Sequence, residues 1–288
     1  MNERELSLTA ADGTTLVGYH WSGDAEPRSI VQIAHGMGEH AGRYRRLAEA
    51  LVGADHVVVA ADHRGHGRTA GSPDHHGDLG PGGWPALVDD LGVVADAARA
   101  EDPDLPLFVV GHSMGSFALQ QYLLDNSDRL DGAALSGTSA VDIIGAAIDP
   151  DAEVDLSAFN APFEPARTEY DWLSRDDAEV DAYLADPDCG FGLNAPGAAS
   201  MLGTAERFGD PEALAAIRSD LPILVFSGDA DPLAGGGELI QLVASRYRDA
   251  GVADVEVILY PGARHEIFNE TNRDEVTADL LAWLDRHR

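Results

Sequence analysis

Short apolar runs at 29–34, 56–61, 107–110, 130–135, 223–226 and 255–260 alternate with stretches whose apolar residues recur at helical spacing. No other feature constrains the fold as tightly. A continuously apolar strand must be covered on both faces, and a helix between two such strands returns the second parallel to the first. The chain is therefore expected to be α/β, with a mostly parallel central sheet flanked by helices. Helices are read at 44–51, 84–100, from the 111–115 turn through Leu124, ahead of Tyr247, and from Asp274. Ahead of the first run, 6–9 and 15–19 alternate around Asp12-Gly13, a hairpin signal.

The rhythm fails between about residues 138 and 214. Pro, Asp and isolated aromatics (Phe159, Phe163, Tyr170, Trp172, Tyr183, Phe191) are mixed there without periodicity. The stretch is too long for a bare loop in a compact domain. It reads as an inserted, mainly helical lid between core segments at 1–137 and 215–288. A length of 288 residues suits one large core carrying such an insertion.

Charge excludes several functions. Fifty Asp and Glu face 19 basic residues, all of them arginine, for a net charge of -31. Such a chain lacks the basic face that nucleic acid needs, and anionic membrane surfaces repel it. Schiff-base lysine chemistry is impossible without lysine. The single cysteine, Cys189, rules out an internal disulfide framework and a multi-cysteine zinc site, and is expected to be a small buried hydrophobe. The adjacent His75 and His76 sit in a Pro/Gly/Asp loop and are expected to be solvated. No metal and no cofactor is called for. The N-terminus has no apolar signal core and no run approaches a membrane span, so a cytoplasmic protein without stable membrane insertion is expected.

The chemistry begins at Gly111-His112-Ser113-Met114-Gly115. This Gly-x-Ser-x-Gly lies between an apolar strand and a helix, the context that gives the motif meaning. A nucleophile needs a sharp turn that exposes its hydroxyl, and glycines on either side let strand and helix backbones close up. Serine also needs a base. His265 follows the last strand, and beyond it only the penultimate His287 remains, which is expected to be solvated. The acid should follow the strand ending at Phe226, where Ser227-Gly228-Asp229-Ala230-Asp231 offers Asp231 first and Asp229 as fallback. Pattern alone separates these two poorly, because turn aspartates commonly bond local amides. Acyl transfer requires two oxyanion donors. The Met114 amide follows the nucleophile, and the Met37 amide in His35-Gly36-Met37-Gly38 follows an earlier strand.

These motifs, with Glu39-His40, Arg43-Tyr44, the 62–67 turn Asp62-His63-Arg64-Gly65-His66-Gly67, Ala185-Asp186-Pro187 and Gly262-Ala263-Arg264-His265-Glu266, resemble the monoacylglycerol lipase and lysophospholipase group of α/β-hydrolases, often filed with the serine aminopeptidases. The resemblance implies an α/β-hydrolase fold, Ser113 as nucleophile, Asp231 as acid, His265 as base, and Met37 and Met114 as oxyanion amides. It further implies that Glu39, Arg43 and His112 form a polar pocket for a glycerol head. One position departs from the pattern. Some glyceride-cleaving members carry a second histidine three residues past the catalytic one, and here that residue is Phe268. The 62–67 turn is expected to be structural, with Arg64 tying loops together.

The function expected is a serine carboxylester hydrolase acting on a small-molecule monoacyl ester. The competing readings are a small-substrate peptidase or amidase, and a non-catalytic binding module, which usually lacks a triad member. Ser113 argues against a halide or epoxide enzyme, whose nucleophile is a carboxylate. Ile143, Ile144, Ile148, Phe159, Phe163 and Phe191 are the candidate acyl contacts in the lid; the lid aromatics either form the lid's own core or, if the lid is a true acyl cover, about half of them face substrate.

Overall fold

The computed structural model describes residues 1–147, 149 and 152–288. Its strands are β1 (Asn2–Thr9), β2 (Thr15–Ser22), β3 (Ser29–Ala34), β4 (His56–Ala61), β5 (Leu107–His112), β6 (Gly132–Ser136), β7 (Ile223–Gly228) and β8 (Val255–Tyr260). They form one sheet in the order β1-β2-β4-β3-β5-β6-β7-β8. From β4 to β8 every neighbouring pair is parallel, while β1, β2 and β4 pair antiparallel. The hairpin read around Asp12-Gly13 is thus the antiparallel margin of a parallel sheet. Glu3, Arg4 and Glu5 on the exposed β1 discourage further strand pairing at that edge.

Side-chain alternation along the strands builds two cores. In β5, Leu107 and Val109 join the cluster on one face, and Phe108 and Val110 the cluster on the other. The first face is covered by α3 (Gly83–Glu101), α4 (Met114–Asn126) and α9 (Glu238–Asp249), the second by α1 (Arg45–Gly53) and α10 (Arg273–His287). In α1 the buried residues Leu47, Ala48, Leu51 and Val52 form one stripe, as a helix on a sheet requires.

The 62–67 turn leads into the short α2 (Gly67–Ala70). Arg64 holds this turn to α3 by donating to both Asp90 oxygens at 2.6 and 2.9 Å, and to the hairpin through Asp12. Asp62 accepts the Ala41 and Arg68 amides, each at 2.8 Å. The structural role expected of this turn is what these bonds describe.

Between β6 and β7 the described residues form no strand. They form α5 (Val141–Ile144), α6 (Asp177–Ala185), α7 (Ala195–Leu202), α8 (Pro211–Leu214) and several 3-10 turns, the longest over Leu156–Phe163. Asp176 and Asn194 cap α6 and α7 by accepting the Ala178 and Gly197 amides. Two of the histidine expectations fail here. His76 is not solvated: its ring stacks on Phe191 at 4.1 Å, because the 65–78 loop folds under this segment. His287 is anchored as well, its ring bonded to the Trp283 carbonyl at 2.8 Å and to Asp254 at 2.9 Å. Among the described residues no helix is long and apolar enough to cross a membrane.

Candidate active site

The loops that leave the carboxyl ends of β3, β5, β7 and β8 converge, as they must in a parallel sheet. Ser113 stands on the β5–α4 turn with φ 50° and ψ -122°, a strained conformation for a residue with a Cβ. The turn closes because its flanking glycines carry no side chain. A Cβ on Gly111 would lie 2.6 Å from the Gly115 carbonyl, and one on Gly115 would lie 2.2 Å from the Ala34 carbonyl. Met114 is the first residue of α4, so its amide has no helical acceptor.

The structure separates the two candidate aspartates. Asp231 is buried, and its Oδ2 meets His265 Nδ1 at 2.8 Å while its Oδ1 accepts the Leu233 amide at 2.8 Å. Asp229 is exposed and instead accepts the Gly262 amide at 2.7 Å. With Nδ1–H donated to Asp231, His265 keeps its Nε2 lone pair free for a proton. Burial by itself would lower the His265 pKa; the Asp231 carboxylate outweighs it, with Glu266 and Glu39 adding, and the net shift is upward from 6.5. His112 moves the other way, to about 3, because it is fully buried and lies beside His265. Its ring bonds Ser136 Oγ at 3.1 Å and remains neutral.

Ser113 and His265 open onto one cavity with Gly36, Met37, Glu39, His112, Met114 and Glu266 at its polar end. The remaining wall is apolar and includes Phe117, Val141, Ile144, Val154, Leu156 and Leu202. Among the six aromatics at 159–191, Phe159, Trp172 and Tyr183 line it and the other three do not. Of the acyl contacts expected from sequence, Ile144 and Phe159 are in the wall. Ile143 is exposed, Phe163 lies against the Arg264 guanidinium and Phe191 packs on His66 and His76. Ile148 lies outside the described residues.

The three residues implied for the glycerol pocket are not equivalent. Glu39 and His112 line the cavity, whereas Arg43 lies behind it, donating to Glu39 at 2.7 Å and to Glu266 at 2.8 Å. Glu266 was missed as a site residue, although it directly follows His265 in the quoted motif. Tyr183 and Trp172 were singled out only as lid aromatics. Tyr183 donates to the Gly38 carbonyl at 2.8 Å, and the Trp172 ring lies 4.7 Å from that of His265. Phe268, where the family pattern can hold histidine, faces the core against Phe226 and does not reach the cavity.

Two further motifs meet outside the cavity. His40 accepts the Gly42 amide at Nδ1 and so donates from Nε2 to Asp186 at 3.1 Å, pinning the β3 loop to the end of α6. Cys189 packs nearby, half-buried, and burial pushes its thiol pKa upward.

A serine on a strained turn after a parallel strand, with a buried aspartate–histidine pair from the last two strands, defines an α/β-hydrolase. Residues 25–272 match the family described as Serine aminopeptidase, S33, and the chain belongs to that family. It is 34% identical to a monoacylglycerol lipase of Mycolicibacterium smegmatis, over 98% of this chain and 97% of that one. It is 28% identical to the Homo sapiens monoglyceride lipase, over 97% and 89% of the two chains. The crystal structure of a thermostable carboxyl esterase from Bacillus coagulans in complex with glycerol superposes with a TM-score of 0.88 at 30% identity, covering 100% of this chain and 99% of that one.

Proposed function

We propose that this protein is a serine carboxylester hydrolase that cleaves monoacyl esters, monoacylglycerol or lysophospholipid-like, through an acyl-enzyme. The observation that carries the reading is the buried Asp231–His265 hydrogen bond opening on the same cavity as the strained Ser113. Ser113 Oγ attacks the ester carbonyl as His265 Nε2 takes its proton. The Met37 and Met114 amides receive the tetrahedral oxyanion. His265 then protonates the leaving alcohol, and a water activated by the same nitrogen releases the fatty acid. Asp231 holds the tautomer and stabilises the imidazolium.

The apolar wall supports an acyl chain as the acid half of the substrate, and residues 138–214 act as its cover. The relatives named for monoacylglycerols, and the esterase holding glycerol, support a small neutral alcohol as the other half. The family name keeps amide cleavage as the second reading. One experiment decides between them: hydrolysis of p-nitrophenyl acyl esters beside an aminoacyl-nitroanilide, with and without a fluorophosphonate. Ester turnover that the fluorophosphonate abolishes is the expected result. Nitroanilide turnover exceeding it would move the activity to amides.

A further inference from the structure

Glu39 faces the polar end of the cavity, where the family resemblance would make it a ligand for the substrate's alcohol. Its bonds assign it differently. Oε1 accepts the Gly36 amide at 2.6 Å and the Tyr44 hydroxyl at 2.7 Å, and Oε2 accepts from Arg43 at 2.7 Å. The side chain is only 3% exposed. Both carboxylate oxygens are thus engaged by the protein before any substrate arrives.

The bonded amide belongs to the residue just before Met37. On its other side, the Gly36 carbonyl receives Nδ1–H of His35 at 2.8 Å, and His35 Nε2 accepts the His63 amide at 2.8 Å, which fixes the His35 tautomer. The Gly36 carbonyl and the Met37 N–H share one planar trans peptide and point in opposite directions. Holding that carbonyl toward His35 and the Gly36 amide toward Glu39 therefore sets where the Met37 N–H points. Beyond Met37, Gly38 sits at φ +65°, and its carbonyl accepts both the Tyr183 hydroxyl and the Gly190 amide. Among the described residues Met37 N–H itself donates to no protein acceptor. Gly36 is packed tightly here: an added Cβ would lie 2.8 Å from Glu39 Oε1 and 3.1 Å from Ser113 Cβ.

We propose that Glu39 is a positioning residue for the oxyanion loop: by anchoring the Gly36 amide it aims the Met37 N–H at the developing oxyanion. The inference rests on the reading of Ser113 and Met37 given above. Its requirement is reach and an acceptor oxygen, not negative charge. Arg43, left between Glu39 and Glu266, is the charge partner rather than the functional target.

The test uses Glu39→Gln, which keeps an acceptor at full reach, and Glu39→Asp, which keeps the charge but withdraws it from Gly36. Both are assayed on a monoacylglycerol and on a p-nitrophenyl ester of the same acid, whose leaving group has no glycerol. Thermal melting checks that each variant is folded. Glu39→Asp is expected to lower kcat about 100-fold on both esters with little change in KM, as loss of an oxyanion donor does. Glu39→Gln keeps its oxygen on Gly36 and turns its amide N–H toward Arg43, which retains Glu266 as partner, so it should lose clearly less kcat than Glu39→Asp on both esters. Affinity for a boronic acid, whose tetrahedral Ser113 adduct places an oxygen in the hole, should fall in parallel with kcat. A loss confined to the monoacylglycerol and carried by KM would overturn the proposal in favour of an alcohol ligand. So would Glu39→Gln being the more damaged variant, which would make charge the requirement. Fluorophosphonate-sensitive turnover by the wild type tests the Ser113 reading separately; without it both fall.

Discussion

Glu270 is fully buried, yet it is surrounded by donors rather than by solvent. Its oxygens accept the Arg175 Nε at 2.9 Å, the Arg175 amide at 3.1 Å, the Arg264 amide at 2.9 Å and the Thr271 amide at 2.8 Å. It thereby fastens residues 174–175, ahead of α6, to the loop that carries His265. Replacing it with alanine leaves those donors without an acceptor. Each hydrogen bond to a charged group is worth about 1.5–3 kcal/mol, though such losses do not add. Arg175 is 32% exposed and recovers water, whereas the Arg264 amide is held within the loop. The net expectation for Glu270→Ala is a loss of about 2–4 kcal/mol, carried by the backbone amides left without an acceptor rather than by the solvent-accessible guanidinium. Glu270→Gln keeps one acceptor oxygen and should lose about half as much. Urea unfolding of the three proteins gives the numbers, and kcat measured well below the melting transition reports the His265 loop. A loss below about 1 kcal/mol for Glu270→Ala would mean that water replaces these bonds and that Glu270 does not fasten the His265 loop.

Asp231→Asn should lower kcat by about 10³ to 10⁴ by releasing the His265 tautomer. Asp229→Asn, on an exposed side chain bonded only to a turn amide, should leave kcat near wild type; equal losses would remove Asp231 from its role. The acid limb of kcat/KM should have its midpoint above 6.5, because His265 must be neutral to take the serine proton and its pKa is raised. In Asp231→Asn that midpoint should fall, since burial then acts with less opposition; a limb that stays put would point to another base. Each methylene added to the acyl chain should raise kcat/KM about fourfold until the apolar wall is filled, from ~0.8 kcal/mol per buried methylene. Ile144→Trp should shift the optimum to shorter chains, and an unchanged optimum would place the acyl group elsewhere. With a net charge of -31, monoacylglycerol in anionic vesicles should be cleaved more slowly than in neutral ones, and salt should narrow the gap. A faster rate on anionic vesicles at low salt would contradict this.

The sheet and the positions of Ser113 and His265 were legible because they follow from local pattern. Apolar runs fix buried strands, and parallel connection delivers their carboxyl ends to one side. The preference for Asp231 over Asp229 came from the family resemblance, because pattern alone separates them poorly. Two residues of offset on one turn decide which carboxylate faces inward, and only the packing of β7 against β8 sets that. The placement of Arg43 behind the cavity was likewise not legible. Its sequence position is right for the pocket, but Glu266 arrives from a loop more than two hundred residues away and draws the guanidinium out of the wall. The described residues between β6 and β7 were legible as helical but not element by element, because their short helices and turns are held by contacts with the core. Leu173 is held by the Glu266 amide and Ser174 by the Asn269 carbonyl, not by periodicity of their own. Of the aromatics at 159–191, Phe159, Trp172 and Tyr183 line the cavity, and the last two also meet the β8 and β3 loops.

The proposed reaction requires that Ser113 become acylated during turnover. Rapid mixing with a p-nitrophenyl ester, acid quenching and mass spectrometry of the digested protein measure it directly. A burst of about one p-nitrophenol per enzyme is expected, with the acyl group on the peptide containing Ser113, and both are absent in Ser113→Ala. Undiminished turnover by Ser113→Ala, or an acyl group on any other residue, would contradict it.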